Sequence, residues 1–202
     1  MSEMIKRGIL LVVLLVTACT MPETKIYSLY LPLENKTPES GAVVSITVGV
    51  SSPRYLAQPY IAHRTSPYQI NVSGYSKWES APAEMVRDAF RDSLAASGMF
   101  REVKASNLFA EGFYSLKIYL KRFERLDTGE GSFGDLAFEV SLLSPAGNEV
   151  YRGEISRKFR MEERNFPGLA KTLSNGLGEA IEEVKGHVIK ILPGARDARE
   201  LP

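Results

Sequence analysis

Three features of this 202-residue sequence could carry chemistry: a single cysteine, two histidines and a glycine-rich hexapeptide. The hexapeptide, Gly129-Glu130-Gly131-Ser132-Phe133-Gly134, has the G-x-G-x-x-G spacing with which backbone N–H groups cradle a pyrophosphate. That chemistry requires a strand before the glycines and a helix N-terminus after them. Strand-like residues lie on both sides here, so the segment is expected to be a hairpin loop. His63 sits in a strand-like run and His187 in a helical one, with no H-x-x-x-H or H-x-x-E spacing to hold a metal. A Ser-His-Asp arrangement is arithmetically available, but no G-x-S-x-G elbow presents a serine nucleophile. No cofactor or metal site is expected.

The thiol is different because of where it stands. Cys19 closes the most apolar run of the chain, Gly8 to Val16, which follows Lys6 and Arg7. The run is shorter than the roughly 20 residues that span a bilayer and has the length and flanks of a secretory signal. Val16-Thr17-Ala18-Cys19 resembles the bacterial lipobox, in which the thiol receives a diacylglycerol and becomes the new N-terminus. Residues 1–18 are therefore expected to be a cleaved lipoprotein signal peptide, and 19–25 a lipidated N-terminus and short tether. The alternative is an uncleaved anchor with an incidental cysteine, which leaves the position of the only thiol unexplained. Two or more acyl chains hold a protein stably where one does not, so a triacylated Cys19 implies permanent attachment. By analogy with bacterial sorting rules, Asp after the cysteine retains a lipoprotein at the inner membrane. Thr20 in that place favours the outer membrane, with the domain facing the periplasm.

Composition narrows the remaining choices. Removing Lys6, Arg7 and Glu3 leaves 23 basic and 23 acidic residues, without the basic excess of a nucleic-acid binder. With Cys19 lipidated no thiol is left for a disulfide, redox motif or cysteine metal site. The 184 residues of the mature chain suffice for one domain with a sizeable core.

The elements that would position any site follow from periodicity. A first strand is expected at Ile26–Leu31. In Val43–Val50, Val44, Ile46, Val48 and Val50 alternate with Ser45, Thr47 and Gly49 as in a half-buried strand. Two short strands are expected on either side of a turn at Thr65-Ser66-Pro67. Ser80 as cap, Pro82 in the first turn and Gly98 at the end delimit a helix. Its Met85, Val86, Ala89, Phe90 and Leu94 share one face, with Arg87, Asp88, Arg91 and Asp92 on another. A short strand is expected at Phe100–Val103. Three long alternating segments follow, with faces Tyr114/Leu116/Ile118/Leu120, Leu136/Phe138/Val140/Leu142 and Tyr151/Ile155/Phe159/Met161. Ser144–Glu149 has the Pro, Gly and Asn of a tight hairpin, so an antiparallel meander is expected. A long final helix carries Leu169, Leu173, Leu177, Ala180, Ile181, Val184, Val188 and Ile191. Gly176, Gly178 and Gly186 weaken it by about 1 kcal/mol each relative to Ala, so packing must hold it. The fold class is α/β in the α+β sense: a single domain, residues 26–192, with a mixed, largely antiparallel sheet and two main helices. Residues 193–202 are expected to be a disordered tail. Arg152, Arg157, Lys158 and Arg160 cluster, but alternation puts Arg157 on the opposite face and nearby glutamates dilute the charge. A solvated strand face and a headgroup or partner contact both fit them.

The stretch from Ser52 to Phe90 is the most distinctive. Pro53, Tyr55 and Leu56 follow the second strand, then come Ile61 and Arg64, a further strand, and Trp78 just before a helix opened near Pro82. This order resembles the family of ABC-type transport auxiliary lipoproteins, which includes the lipoprotein of the paraquat-inducible (Pqi) system. Trp78-Glu79-Ser80-Ala81-Pro82 departs from the Trp-Ala-Pro-Leu of many members. The resemblance implies a non-enzymatic subunit of an envelope transport system moving lipid or another hydrophobic compound. The implied partners are an ABC permease, its ATPase and a periplasmic protein with a mammalian-cell-entry (Mce) domain, and a homo-oligomer is allowed. Tyr55, Arg64, Tyr75 and Trp78 become candidate partner contacts, since aromatic residues are enriched in binding hot spots. Core or corner packing is the other use such residues have beside a helix start. Two further readings compete: an envelope scaffold outside transport, and a lipid-anchored hydrolase in which His63 or His187 meets a serine and an acid.

Overall fold

The computed structural model describes residues 22–33 and 44–192. Cys19, the predicted signal segment 1–18 and the predicted tail 193–202 lie outside the described residues, as does the start of the tether.

Among the described residues, one sheet of eight strands is organised around β6 (Phe113–Thr128), which pairs on one side from Ser115 to its end with β7 (Gly131–Leu143). β8 (Glu149–Arg160) continues that side, completing the expected antiparallel meander. The other side of β6 is shared. Its first half pairs in parallel with β2 (Ser45–Ser51), which in turn pairs in parallel with β5 (Glu102–Ala105). Its second half pairs in parallel with β3 (Tyr60–Ser66) at His63 and Arg64. β3 forms an antiparallel hairpin with β4 (Gln69–Trp78), and β1 (Lys25–Tyr27) closes that end in parallel with Ser76–Trp78. The sheet is thus mixed and open, its strand order forking at β6.

Both helices lie on one face of this sheet. In α1 (Pro82–Ala96), Phe90 meets Phe138 of β7 edge-to-face at 5.7 Å. In α2 (Phe166–Ile191), Leu173 and Thr172 press on Gly134 of the same strand. Residues 134 and 138 share a face by the two-residue period of a strand. That face carries the apolar sets expected from alternation, Leu116, Ile118 and Leu120 against Leu136, Phe138, Val140 and Leu142, all buried. Burying each such side chain is worth about 1.5–3 kcal/mol. α1 buries Met85, Val86, Phe90 and Leu94 as expected, and α2 buries Leu169, Leu173, Leu177, Ala180, Ile181, Val184 and Val188.

Gly176 explains why a glycine is kept inside a helix. A Cβ there would collide with the Phe159 ring of β8, so the glycine permits the close helix–sheet approach. Gly186 has nothing within 4 Å of such a Cβ. α2 starts at an asparagine cap: Asn165 Oδ1 accepts the Gly168 N–H at 2.7 Å.

Several local expectations are corrected. The first strand is only three residues long; Ser28 to Leu33 runs on as a strap, with the Tyr30 N–H bonded to Ser174 Oγ of α2 at 3.0 Å. Ser80 does not cap α1: the cap position is Ala81, with no side-chain bond, and Pro82 opens the helix. β2 is buried on both faces rather than half-buried, because on the outer side Thr47 bonds Ser115 at 3.0 Å and the chain at Ser106-Asn107 closes over Gly49. The β3–β4 turn falls at Pro67-Tyr68, slightly later than expected.

Candidate functional site

The face of the sheet away from the helices is polar, and β6 is where its character is set. Alternation in β6 holds through Leu120, then one extra residue, Lys121, interrupts the register with β7 between Leu120/Phe138 and Arg122/Ala137. Such a bulge re-aims the side chains that follow. Phe123 therefore returns to the helix side opposite Leu136, while Arg122 and Glu124 point outward opposite Ala137 and Asp135. Glu124 has no exposed side-chain surface, an expensive position for a carboxylate without partners.

Its partners come from the stretch singled out in the sequence. Tyr55 sits in a short 3-10 turn (Arg54–Ala57) after β2, and its hydroxyl lies 3.1 Å from Glu124 Oε2 and 3.2 Å from the Lys121 carbonyl. Arg64, brought beside β6 by the parallel β3 pairing, donates from Nε to Glu124 Oε1 at 2.5 Å. A phenol and a guanidinium thus close on one buried carboxylate, 69 and 60 residues away in sequence. Burial, and secondly the Glu124 charge, push the Tyr55 hydroxyl up to about 12, so Tyr55 is the neutral donor of the set. Burial is the largest single influence on Arg64 and works against its charge, but the hydrogen bond and charge of Glu124, with Tyr55 adding to them, together outweigh it and raise Arg64 above the ordinary guanidinium value.

The neighbouring carboxylate Asp135 is also buried. Arg122 Nε donates to its Oδ2 at 3.0 Å and a terminal guanidinium nitrogen reaches Ser156 Oγ on β8 at 2.9 Å, while Asp135 Oδ1 has no partner among the described residues. Lys121 joins Glu139 and Glu154 at 2.5 and 2.9 Å. The outer face is a lattice of ion pairs across three strands, with Lys158 and Arg160 of β8 on the same side. Arg157 faces the helices and pairs with Glu183 of α2.

The four candidate contact residues separate. Tyr55 and Arg64 meet at Glu124. Trp78 is 2 % exposed and stacks edge-on against Phe123, ring centres 5.5 Å apart, and its indole N–H has no partner among the described residues. Tyr75 is 55 % exposed and is the member of the four that offers a partner a large surface. Glu124, the residue that joins two of them, was not among the sequence candidates. Its only signal was the break in alternation at Lys121-Arg122-Phe123, which marks the bulge that turns Glu124 outward.

The remaining chemical candidates fall on separate elements. Gly129-Glu130 is the two-residue loop of the β6–β7 hairpin, where Thr128 faces Gly131, and a strand, not a helix, follows. Gly131 has φ +145°, which a side chain would resist. His63 on β3 has a buried Nδ1 without a partner among the described residues, and His187 on α2 stacks on Tyr151 at 5.5 Å. No group of three or more His, Cys, Asp or Glu that could hold a metal ion occurs among the described residues, nor does any helix among them have the length and apolarity to cross a membrane.

Comparison with known proteins agrees with this architecture. A family model described as ABC-type transport auxiliary lipoprotein component matches residues 27–185, from the end of β1 into the last turns of α2. A crystal structure of a Xanthomonas campestris protein of family DUF330 is similar with TM-score 0.69 at 20 % identity, covering 87 % of this chain and 99 % of its own. A second solved structure, of an uncharacterized protein, gives TM-score 0.64 at 20 % identity over 82 % of this chain and 99 % of its own. These two show the fold. No curated protein matches the sequence. The chain belongs to the ABC-type transport auxiliary lipoprotein component family, which is a family of transport accessories and not of enzymes.

Proposed function

We propose that this member of the ABC-type transport auxiliary lipoprotein family is held at the periplasmic side of the outer membrane by lipid on Cys19. There it docks the periplasmic, Mce-domain component of an envelope transport system. A permease and ATPase in the inner membrane complete that system, and its cargo is lipid or another hydrophobic compound. The observation that carries this reading is the family match over residues 27–185, directly preceded by the lipobox-like Val16-Thr17-Ala18-Cys19. In this mechanism the domain does no chemistry. It is a rigid terminus whose short tether fixes where the periplasmic passage ends, and several copies can ring that terminus as a homo-oligomer.

The geometry supports a scaffold role in one specific way. The Tyr55–Glu124–Arg64 cluster locks the turn after β2 and the β3–β4 hairpin to the middle of β6. The hairpin that carries the exposed Tyr75 is therefore fixed to the body of the domain. The test is affinity capture of the full-length lipoprotein from membranes, followed by mass spectrometry. Recovery of an Mce-domain protein together with a permease and ATPase is expected. Capture of none of them overturns the transport role. Cys19→Ala, or globomycin treatment, is expected to release the chain from the membrane fraction; unchanged attachment overturns the anchor.

A further inference from the structure

The anchor and the sheet together fix more than an address. Among the described residues, β1 is the terminal strand of one end of the sheet and pairs with β4 alone. Its register places Ile26 beside Lys77 of β4, and Lys77 lies beside Tyr60 of β3. Paired residues point to the same side of a sheet, so Ile26, Lys77 and Tyr60 form a row across three strands, roughly 10 Å wide at the usual strand spacing. Ser76 and Trp78 are buried toward the helices, which puts the alternating Tyr75 and Lys77 on the outer side. Ile26 is 67 % exposed, Tyr75 55 % and Tyr60 38 %. An isoleucine and two tyrosines around a lysine thus face solvent at the sheet end through which the chain enters the fold.

We propose that this row is the face the domain lays against the lipid headgroups, with Ile26, Tyr60 and Tyr75 entering the interface and Lys77 reaching lipid phosphate. The proposal rests on the reading of Cys19 as the lipid-bearing residue. The argument for lipid as the occupant is the length of chain involved. Six residues, Thr20 to Lys25, separate Cys19 from Ile26, and six extended residues reach at most about 20 Å. A bilayer-held Cys19 therefore keeps Ile26 within one tether length of the headgroups whatever else the domain binds. Tyrosine is one of the two residues enriched at that depth, because its ring is apolar and its hydroxyl wet. Lysine suits the same place, its stem lying along apolar surface with the ammonium in water. A second exposed apolar pair, Leu108 and Phe109, follows β5, five strands away from β1 in the strand order. Covalent lipid supplies the affinity; the row supplies orientation, tilting the β1–β4–β3 end onto the membrane and leaving the β5 end free.

The experiment uses the full-length lipidated chain in vesicles of phosphatidylethanolamine and phosphatidylglycerol. Lipidation consumes the only native thiol, so Ile26→Cys, Tyr75→Cys and Leu108→Cys each carry one reactive site for an environment-sensitive fluorophore. All three replace exposed side chains and are expected to fold. Probes at 26 and 75 are expected to emit to the blue of the probe at 108 and to be quenched severalfold less by aqueous iodide, at one protein per vesicle. Equal quenching at all three sites in a chain that floats with the vesicles overturns the proposal while leaving the anchor intact. A wild-type chain that fails to float removes the anchor and the proposal with it. Shielding that grows with the number of proteins per vesicle assigns the row to a second copy of the chain and likewise overturns it.

Discussion

Arg64→Ala should destabilise the domain far more than loss of a surface ion pair, and the structure says by how much. Exposed pairs contribute at most about 1 kcal/mol. Removing one partner of a buried pair costs about 3–5 kcal/mol, because the other charge is left desolvated. Glu124 has no exposed side-chain surface, whereas Arg64 keeps 22 % of its own. The Tyr55 hydroxyl at 3.1 Å remains as a neutral donor. These two moderating features put the expected loss near the lower bound, about 3 kcal/mol, or a fall in Tm of roughly 6–12 °C for a domain of this size. Glu124→Leu in the Arg64→Ala background removes the stranded charge and should recover more than half of that loss, since an apolar replacement of a buried pair is often neutral. Urea unfolding of the mature chain, followed by the fluorescence of Trp78, measures both effects. The tryptophan is the only one in the sequence and packs on Phe123, the residue beside Glu124. An Arg64→Ala loss below about 1 kcal/mol, or a double variant as unstable as the sum of the singles, would refute the claim that this cluster is a buried clamp.

Other outcomes follow from the same coordinates. Gly176→Ala should cost about 1–3 kcal/mol by overpacking against Phe159. Gly186→Ala, ten residues on in the same helix with open space around it, should gain up to about 1 kcal/mol; thermal unfolding of the two compares them directly. Asn165→Ala removes the cap that holds the Gly168 N–H and should cost about 1 kcal/mol, while Asn165→Asp should retain most of it. Tyr55 carries the alkaline limit. Its folded-state value of about 12 exceeds the ordinary 10, so its contribution to stability is full below pH 10 and is lost as pH rises from 10 to 12. Absorbance titration should show a phenol near pH 12 that Tyr55→Phe abolishes, and the lack of that late component in the wild-type chain would contradict the burial.

Legibility of the sequence follows the physics of each element. Strands that are apolar on one side and polar on the other, β6 to β8, announce themselves by alternation. So does the apolar stripe of α2, with the glycines that packing must offset. β2 announced itself as a strand in the same way but not its full burial, because a strand covered on its outer face needs only small residues outward. Ser45, Thr47 and Gly49 read as the wet side of a half-buried strand, yet Thr47 is closed over by Ser115 and Gly49 by the chain at Ser106-Asn107. The strap from Ser28 to Leu33 also alternates like a strand. It takes its bond from a helix side chain, Ser174, and such a partner 144 residues away leaves no local signature. The site shows the same division. Tyr55 and Arg64 were visible as residue types at a recognisable spacing; their meeting at Glu124 depended on a bulge and a parallel strand pairing, neither of which a local pattern can specify.

That meeting also changes what the motif means. Pro53, Tyr55 and Leu56 belong to a 3-10 turn, with Leu56 fully buried and its N–H bonded to the Pro53 carbonyl at 3.0 Å. Ile61 is in the core, Arg64 is held by Glu124, and Trp78 lies beneath β6 against Phe123. The residues that give this chain its resemblance are therefore those that build the domain, locking the β2 turn and the β3–β4 hairpin to one strand. A partner touches what that frame presents. Specificity for the periplasmic component must then be sought in surface side chains the motif does not include, such as Tyr68 at the hairpin tip, 97 % exposed, and Leu108 beyond β5, 79 % exposed. Tyr68→Ala and Leu108→Ala should leave urea unfolding unchanged. Whichever lies in the docking surface should lower recovery of the periplasmic partner, whereas Arg64→Ala should lower recovery only in proportion to unfolding. If Arg64→Ala abolishes capture at a temperature where the domain is still folded, the cluster is itself the contact and the motif reads as a binding site after all.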